Sequence, residues 1–395
     1  MTVRTNVSGA SNFVLQETIS AYSDEAYTTA RKLVGTGIVS SNPNIDPNTE
    51  TFVGQVRWFK PLNPVINVAS LTTATDGSKT SYSSDYLTYV KSVRTHGASK
   101  VNMQQIVTQQ DGLAKISRDF AETRAQDEHN ALMAILKGVA ISEALNGCAA
   151  ASGSTGLGGQ TFSNDPSDKA YGFYVDLGAN APVIAATAAV QGSARAEGFL
   201  QAFGKAFKDR EPEWAYLITS PEVMSSFRSA NLINNVVLTE GNVQFETIFN
   251  GKFRLIQTRA SQSLSSAELT KLNTGAGVDI VGTKTSFIVL PGAIAMQPLT
   301  VPESVEIFRN ANTYNGGGST DIWYRWGYVL APAGYNWAGS ADKFPSDAEY
   351  AYAVEGGTPK ELTTVVSASL ASTTGSWIRK SASALSLGIL PVFHS

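Results

Sequence analysis

Apolar positions along this chain recur with two different periods, and the changes between them mark out its elements. Leu15, Ile19, Tyr22 and Ala26 follow helical spacing until Gly35 and Gly37 interrupt it. The longest helical signal is Thr108–Gly147, where Leu113, Ile116 and Phe120 share one face and Leu132, Leu136 and Val139 another. Between Phe120 and Ala131 that apolar side thins to alanines. Thr108 with Asp111 has the form of a capping box. Lys115–Asp119, Arg118–Glu122 and Arg124–Glu128 are opposite charges at i,i+4 spacing, and no proline occurs from Val65 to Asp165. A helix reaching Gly138 would be roughly 40 Å long at about 1.5 Å per residue. So long a helix with so thin a middle stripe predicts a spine lying across a flat surface, not a rod inside a compact core.

Alternation replaces the helical period in Phe52–Gly97. FVGQVRWFKPL and DYLTYVKSVRTHG read as two strands of one long hairpin, with Asp76-Gly77 as its turn signal. Such a ribbon is not stable alone and needs a partner surface, which no neighbouring stretch offers. Further on, Phe199, Phe203 and Phe207 lie on one face of a helix expected over Thr187–Lys208. Trp214–Thr219 reads as a buried strand, Ser220-Pro221 as the cap and first residue of a helix through Ala230, and Asn250-Gly251 as a hairpin turn. Strands are expected at Phe287–Leu290, Val305–Arg309, Ile322–Leu330, Leu362–Ser367 and Leu385–Phe393. SNPNIDPNTE (Ser41–Glu50) is turn chemistry, and Cys148–Asn164 reads as a low-complexity loop. The sum is an α+β chain.

Composition narrows the function. Charged residues make up only 16% of the chain, against about 25% in ordinary globular domains, and Gly, Ser, Thr, Ala and Asn take their place. A formal charge of −3 provides no basic stripe for electrostatic capture of nucleic acid. The single cysteine, Cys148, excludes an intramolecular disulfide framework and a cysteine-rich zinc site. No apolar run is long enough to span a bilayer, and MTVRTNVSGASNF lacks a signal-peptide core, so a protein made in a cytoplasm is expected.

Candidate chemistry is sparse. Asp127-Glu128-His129 cannot close on one metal ion, because consecutive helix residues point in different directions. Gly198–Lys205 departs from a phosphate-binding loop in its glycine spacing and has Ala206 where a magnesium-binding hydroxyl belongs. The Gly316–Gly318 run suits a hinge or tight loop. Trp323-Tyr324-Arg325-Trp326, with Tyr328 and Tyr335, could be a stacking platform, but alternation along a strand favours core and interface packing. No catalytic constellation, cofactor site or metal site emerges.

The order of parts resembles the major capsid protein of tailed double-stranded DNA phages, with the Hong Kong 97-type capsid fold. FIVLPGAIAM (Phe287–Met296), VEIFRN (Val305–Asn310), the Gly316–Gly318 run, RWGYVLAPAGYNW (Arg325–Trp337) and SWIRKSASALSLGILPVF are similar to stretches of that family. The resemblance implies an N-terminal arm over 1–50, an E-loop hairpin over 51–98 and a P domain over 99–180 with its spine helix at 108–147. It further implies an A domain over 181–357, with strands returning to the P domain, and C-terminal strands over 358–395. The implied role is a non-enzymatic head-shell protein of the virion, assembled in the host cytoplasm into pentamers and hexamers around DNA held without sequence-specific contacts.

Its implied partners are further copies of itself, a separate scaffolding protein, a portal and an optional decoration protein; no membrane and no cofactor are involved. The scaffolding protein is expected to be separate because the 1–50 segment is shorter than the domain-sized extension that some members carry. Intersubunit contacts are expected at Trp58, Phe59, Lys79, Tyr86 and Tyr89 of the hairpin. The Lys–Asn cross-link of certain members is not implied, since no motif identifies a partner for Lys79. The alternatives are an encapsulin-like nanocompartment, a cytoplasmic hydrolase using scattered Asp and Glu, and a β-rich surface-binding module using the aromatic strand. A shell protein sediments as very large particles or capsomers, and the last two as small oligomers.

Overall fold

The computed structural model describes residues 36–41, 44–46, 51–59, 84–101, 112–148, 173–177, 188–207, 212–240, 243–258, 264–276, 280, 282–366, 373–380 and 387–394. In chain order the first elements are β1 (Val39–Ser40), β2 (Val53–Phe59), β3 (Ser84–Val101), the long helix α1 (Gly112–Cys148), β4 (Val175–Asp176) and α2 (Ala188–Phe207). There follow β5 (Ala215–Thr219), α3 (Pro221–Ser229), β6 (Asn234–Glu240), β7 (Val243–Ile248), β8 (Phe253–Gln257), α4 (Ser266–Ala276), β9 (Lys284–Val289) and β10 (Ile294–Leu299). The remainder is β11 (Val305–Asn310), β12 (Ser319–Pro332), β13 (Tyr335–Trp337), α5 (Asp347–Tyr350), β14 (Ala353–Glu355), β15 (Thr358–Lys360), a 3₁₀ turn (Leu362–Thr364), β16 (Thr374–Gly375), β17 (Trp377–Arg379) and β18 (Ile389–His394). The chain is a mixed α+β fold.

Strand β12 organises the first sheet. One edge pairs antiparallel with β3 from Ser319↔Val101 to Leu330↔Val90. The other edge is shared in tandem, β11 taking Ser319–Tyr324 and β10 taking Gly327–Pro332. Beyond Val90, β3 continues outward and, among the described residues, pairs only with β2, from Val53↔Val90 to Phe59↔Ser84. The partner that the hairpin needs is thus supplied from more than two hundred residues downstream. Strand β3 runs unbroken through residue 98, so the hairpin and the sheet share one backbone.

The second sheet has the order β4-β18-β9-β5-β8-β7-β6 among the described residues. Its centre, β5, is buried at every position, as the run AYLIT predicts for a strand covered on both faces. Helix α2 lays Phe199, Phe203 and Phe207 into this layer, with the Phe203 ring 5.4 Å from that of Phe253. At the turn between β7 and β8, Phe249, Asn250 and Gly251 all have positive φ, the backbone that Asn-Gly favours. The Gly316–Gly318 run forms the tight turn between β11 and β12, with both Gly316 and Gly318 at positive φ.

Three sequence expectations change. First, the helix is not confined to a flat surface: from Ala131 to Leu145 every side chain is buried except Ala134 and Lys137. Small residues make this possible. A Cβ on Gly138 would overlap the Tyr350 carbonyl oxygen, and one on Gly375 would overlap the Ser142 hydroxyl. Second, within the strand expected over Leu362–Ser367, residues 362–364 form a 3₁₀ turn. Leu362 and Val365 point inward while Thr363 and Thr364 stay exposed, a spacing of three that overrides the β preference of Thr and Val. Third, Ser220 caps α3 without a side-chain hydrogen bond, so Pro221 at the first position marks the helix start. The Thr108 capping box, the helix expected from Leu15 and most of the low-complexity loop lie outside the described residues.

Candidate assembly surface

The hairpin divides into a base held by its own chain and an outer part that leaves it. At the base, Val56 and Tyr89 pack with Ile45, Val329 and Ala331 into a small cluster beneath the main core. The Tyr89 hydroxyl donates to the Asp46 carbonyl oxygen at 2.8 Å, and its ring lies against Gly54, where a Cβ would overlap it. On the opposite face of β3, Val90 belongs to the main core. Lys91 is also buried, and burial lowers its pKa against the opposing attraction of Asp46.

Four residues outward the environment reverses. Tyr86 is 54% exposed, and beside it Arg57 spans to the Ser84 hydroxyl at 3.0 Å. Strand β2 is the edge of its sheet, so its outer backbone groups have no partner strand among the described residues. Such an edge is a template for another chain. At the hairpin foot, Phe52 and Phe344, both exposed, meet edge to face at 4.8 Å.

The expected contact residues therefore separate. Tyr86 lies where a neighbour can reach it. Tyr89, by contrast, is fully buried within its own chain. The backbones of Trp58 and Phe59 complete the outer end of β2, and Lys79 lies outside the described residues. Phe52 and Phe344 were not singled out from sequence. Phe52 stood at the start of an expected strand, but Phe344 joins it from far along the chain, and no local signal links the two.

The alternating aromatic run in β12 also separates by face. Tyr324, Trp326 and Tyr328 are buried against α1, whereas Trp323 is 37% exposed over Gly97 on the outer face of the sheet. Helix α1 meets the inner row through polar contacts. Arg124 donates to the Tyr324 hydroxyl at 3.0 Å, while Asp127 Oδ2 accepts from Trp326 Nε1 and from the Tyr328 hydroxyl, each at 3.0 Å. Arg94 of β3 lies 3.5 Å from Asp127 Oδ1 and donates to Asp347 Oδ1 of α5 at 2.7 Å. Burial, with Tyr350 and Asp127 nearby, pushes the Tyr328 hydroxyl far above its ordinary value. Burial opposes the charge on Arg94, but Tyr328, Asp347 and Tyr350 more than offset it and its pKa rises. Glu128 instead pairs with Arg124 at 3.5 Å, so Asp127 and Glu128 point apart as the helix geometry requires.

The two stretches that carried much of the sequence resemblance come together. Tyr335–Trp337, after the positive-φ Gly334, pairs antiparallel with Trp377–Arg379, and the rings of Trp337 and Trp377 lie 5.0 Å apart. The Trp377 indole donates to the Tyr350 carbonyl oxygen at 3.1 Å, and its backbone N–H donates to the Ser142 hydroxyl at 3.2 Å. Both therefore clamp the buried half of α1. Beneath them Glu143, itself fully buried, accepts from the Phe173 N–H at 2.6 Å and lies 3.6 Å from Arg379.

Among the described residues no three His, Cys, Asp or Glu side chains gather as metal ligands. A cleft of about 380 Å³ between α1, α4, α5 and the 3₁₀ turn is lined by Met133, Lys137, Glu268, Asp347 and Glu361. Its lysine is already paired, Lys137 to Glu268 at 2.9 Å. His394 is buried, with Nε2 2.8 Å from the Ser286 hydroxyl, in a chain of hydroxyls that ends at Thr219 inside the second sheet.

No family model and no curated protein matches the chain. Among solved structures, similarity extends to the head of Helicobacter pylori bacteriophage KHP40, with 8% identity over 93% of this chain and 91% of that one and a TM-score of 0.44. A chain of the bacteriophage PhiM1 mature capsid aligns at 12% identity over 75% of this chain and 83% of that one, TM-score 0.44. The capsid of Ralstonia phage GP4 aligns at 10% identity over 76% and 84%, TM-score 0.43.

Proposed function

We propose that this chain is the major capsid protein of a tailed double-stranded DNA phage, a structural subunit and not an enzyme. The observation that carries this reading is the division of the hairpin. Its base is locked into the subunit by Tyr89 and Val90, while its outer part carries an edge with no partner strand among the described residues and a Tyr86 that is 54% exposed. A subunit of a closed shell needs such elements, which gain burial only from a neighbour at about 25 cal/mol per Å² of apolar area. Repeated by symmetry, many modest contacts of this kind make a strong shell from individually reversible steps.

In this reading 1–50 is the arm, 51–98 the E-loop, 99–180 the P domain and 181–357 the A domain, and copies join as pentamers and hexamers. A separate scaffolding protein, a portal, an optional decoration protein and packaged DNA complete the assembly. The mildly acidic chain suits a shell that must not grip its DNA.

Sedimentation and negative-stain microscopy of the purified chain test this directly. Capsomers or shells are expected; a protein that stays a small oligomer under all conditions defeats the proposal. Two finer measurements address the hairpin. Tyr86→Ser is expected to lower particle yield while leaving subunit stability within about 0.5 kcal/mol, as for an exposed side chain. Lys79, the only basic residue between Lys60 and Lys91, is expected to be cut by trypsin faster in dissociated subunits than in particles. Equal rates in both states would mean that the hairpin does not reach a neighbour.

A further inference from the structure

The aromatic run of β12 leaves one ring outside the core, in a setting unlike that of the others. On the outer face of the first sheet, Trp323 sits opposite Gly97 of β3 on one side and Glu306 of β11 on the other. A Cβ on Gly97 would stand 3.0, 3.0 and 3.2 Å from three consecutive carbons of the six-membered ring. Near-equal distances to three consecutive ring atoms arise above a ring face, not at its edge. The indole therefore lies flat on the glycine.

A ring laid over a cross-strand glycine is a packing device of sheets, and it accounts for the inner face of the indole. It does not account for the outer one. Trp323 stays 37% exposed although it lies on the middle strand of three. The indoles of Trp326, Trp337 and Trp377 each donate to an acceptor of the chain, whereas none is found for Trp323 among the described residues.

Hydrogen-bonding groups surround the open ring. Asp321 and Arg325 flank Trp323 along β12 on the same face and Glu306 lies beside it, all about 5–7 Å away by strand geometry. These groups are held in place. Asp321 Oδ1 accepts from the Ser99 hydroxyl at 2.7 Å. Arg325 donates to Glu306 Oε2 at 2.5 Å and to the Glu303 carbonyl oxygen at 3.0 Å. A carboxylate has about four acceptor sites, so this pairing does not exhaust Glu306.

We propose that Trp323 is the platform of a carbohydrate site that takes a neutral pyranoside of gluco configuration. The ring C–H bonds of such a sugar form an apolar face, which rests on the negative face of the indole. Its equatorial hydroxyls point outward in the plane of the sugar ring, toward Asp321, Glu306 and Arg325 at the rim. The same chemistry argues against two other occupants. A nucleic-acid strand needs cations beside the stacking ring to hold its phosphates, and here the flanking guanidinium is already engaged and two carboxylates adjoin it. A protein partner needs a broad apolar centre, and among the described residues around Trp323 on this face Phe308 is the one other large apolar side chain, itself half-buried. The site belongs to a single subunit and stands whether or not the shell proposal does.

Saturation-transfer NMR of methyl β-D-glucopyranoside with the purified full chain is the test. Saturation is expected on the ring C–H protons of the glucoside and not on glycerol, which offers hydroxyls without a ring face. Trp323→Ala should weaken binding about tenfold or more, corresponding to about 1.4 kcal/mol, and Trp323→Phe should restore most of it. Gly97→Ala keeps the indole but lifts it from its seat, so it should weaken binding by less than Trp323→Ala does; it keeps the test open where Trp323→Ala fails to fold. Tyr86→Ser, on another part of the sheet, should bind as wild type. A glucoside that shows no saturation, or that binds Trp323→Ala or Gly97→Ala as well as wild type, would overturn the proposal. So would a short thymidine oligonucleotide that binds through Trp323 more tightly than the glucoside, or subunit association lost in Trp323→Ala with no glucoside bound, which would make this face a contact between copies.

Discussion

The two halves of helix α1 belong to one continuous rod yet obey different rules. From Lys115 to Asn130 the helix is amphipathic: Lys115, Arg118, Asp119 and Glu122 face solvent while Phe120, Ala121 and Glu128 face the sheet. It is fastened there by stacking, Phe120 lying parallel to Tyr324 at 5.5 Å, by a hydrogen bond from Arg124 to Tyr324, and by those that Asp127 accepts from Trp326 and Tyr328. From Ala131 to Leu145 the same helix is inside the core, packed against β16, β17, β18 and α5. The first half is held by a strip and a few polar anchors, the second by close packing on every side but the cleft at Ala134 and Lys137. A substitution should therefore be absorbed in the first half and felt in the second.

The largest expected effect is at Gly138, where the helix backbone meets the Tyr350 carbonyl. Gly138→Val should cost about 3 kcal/mol or prevent folding, because neither backbone can retreat. An unchanged denaturation midpoint would show that the close approach is not real. Next comes a matched pair: Leu136→Ala should cost about 2–5 kcal/mol as a cavity in a closed core, and Ile116→Ala only about 1 kcal/mol at a half-buried position. Equal costs in chemical denaturation would erase the distinction between the halves.

The smallest effect is the pH slope of the first half's anchor. Because the folded pKa of Asp347 is raised, its contribution is fully present below the ordinary value of 3.8 and is lost as pH rises through the folded value. Asp347→Asn should therefore melt higher than wild type at neutral pH, and the two should converge in acid. Divergence in acid would reverse the sign assigned to this site.

Much of the fold was legible because local chemistry and tertiary environment agree. The Asn250-Gly251 turn, the Phe199–Phe207 face, the strand AYLIT and the Pro221 helix start each depend on residues within a few positions of one another. The candidate surface was legible only in part. That two strands run outward from Phe52 and toward Gly97 follows from alternation, but alternation does not say which side of Tyr86 and Tyr89 is covered. Tyr89 is buried because Val329, Ala331 and Ile45 arrive beside it from distant parts of the chain, while Tyr86, three residues earlier, has passed the end of β12.

By itself the sequence determined where the long helix and the long hairpin lie, and that no catalytic or metal-binding spacing accompanies them. These are properties of local period and of residue type. Tertiary structure alone decided that VAISEAL would be buried, that LTTV would turn instead of extend, and that Arg94, Asp127 and Asp347 would share one site. Those outcomes depend on which surfaces meet. Gly138 and Ser142 are ordinary helix residues until Tyr350 and Trp377 close on them, and three scattered charges become one cluster only when β3, α1 and α5 converge.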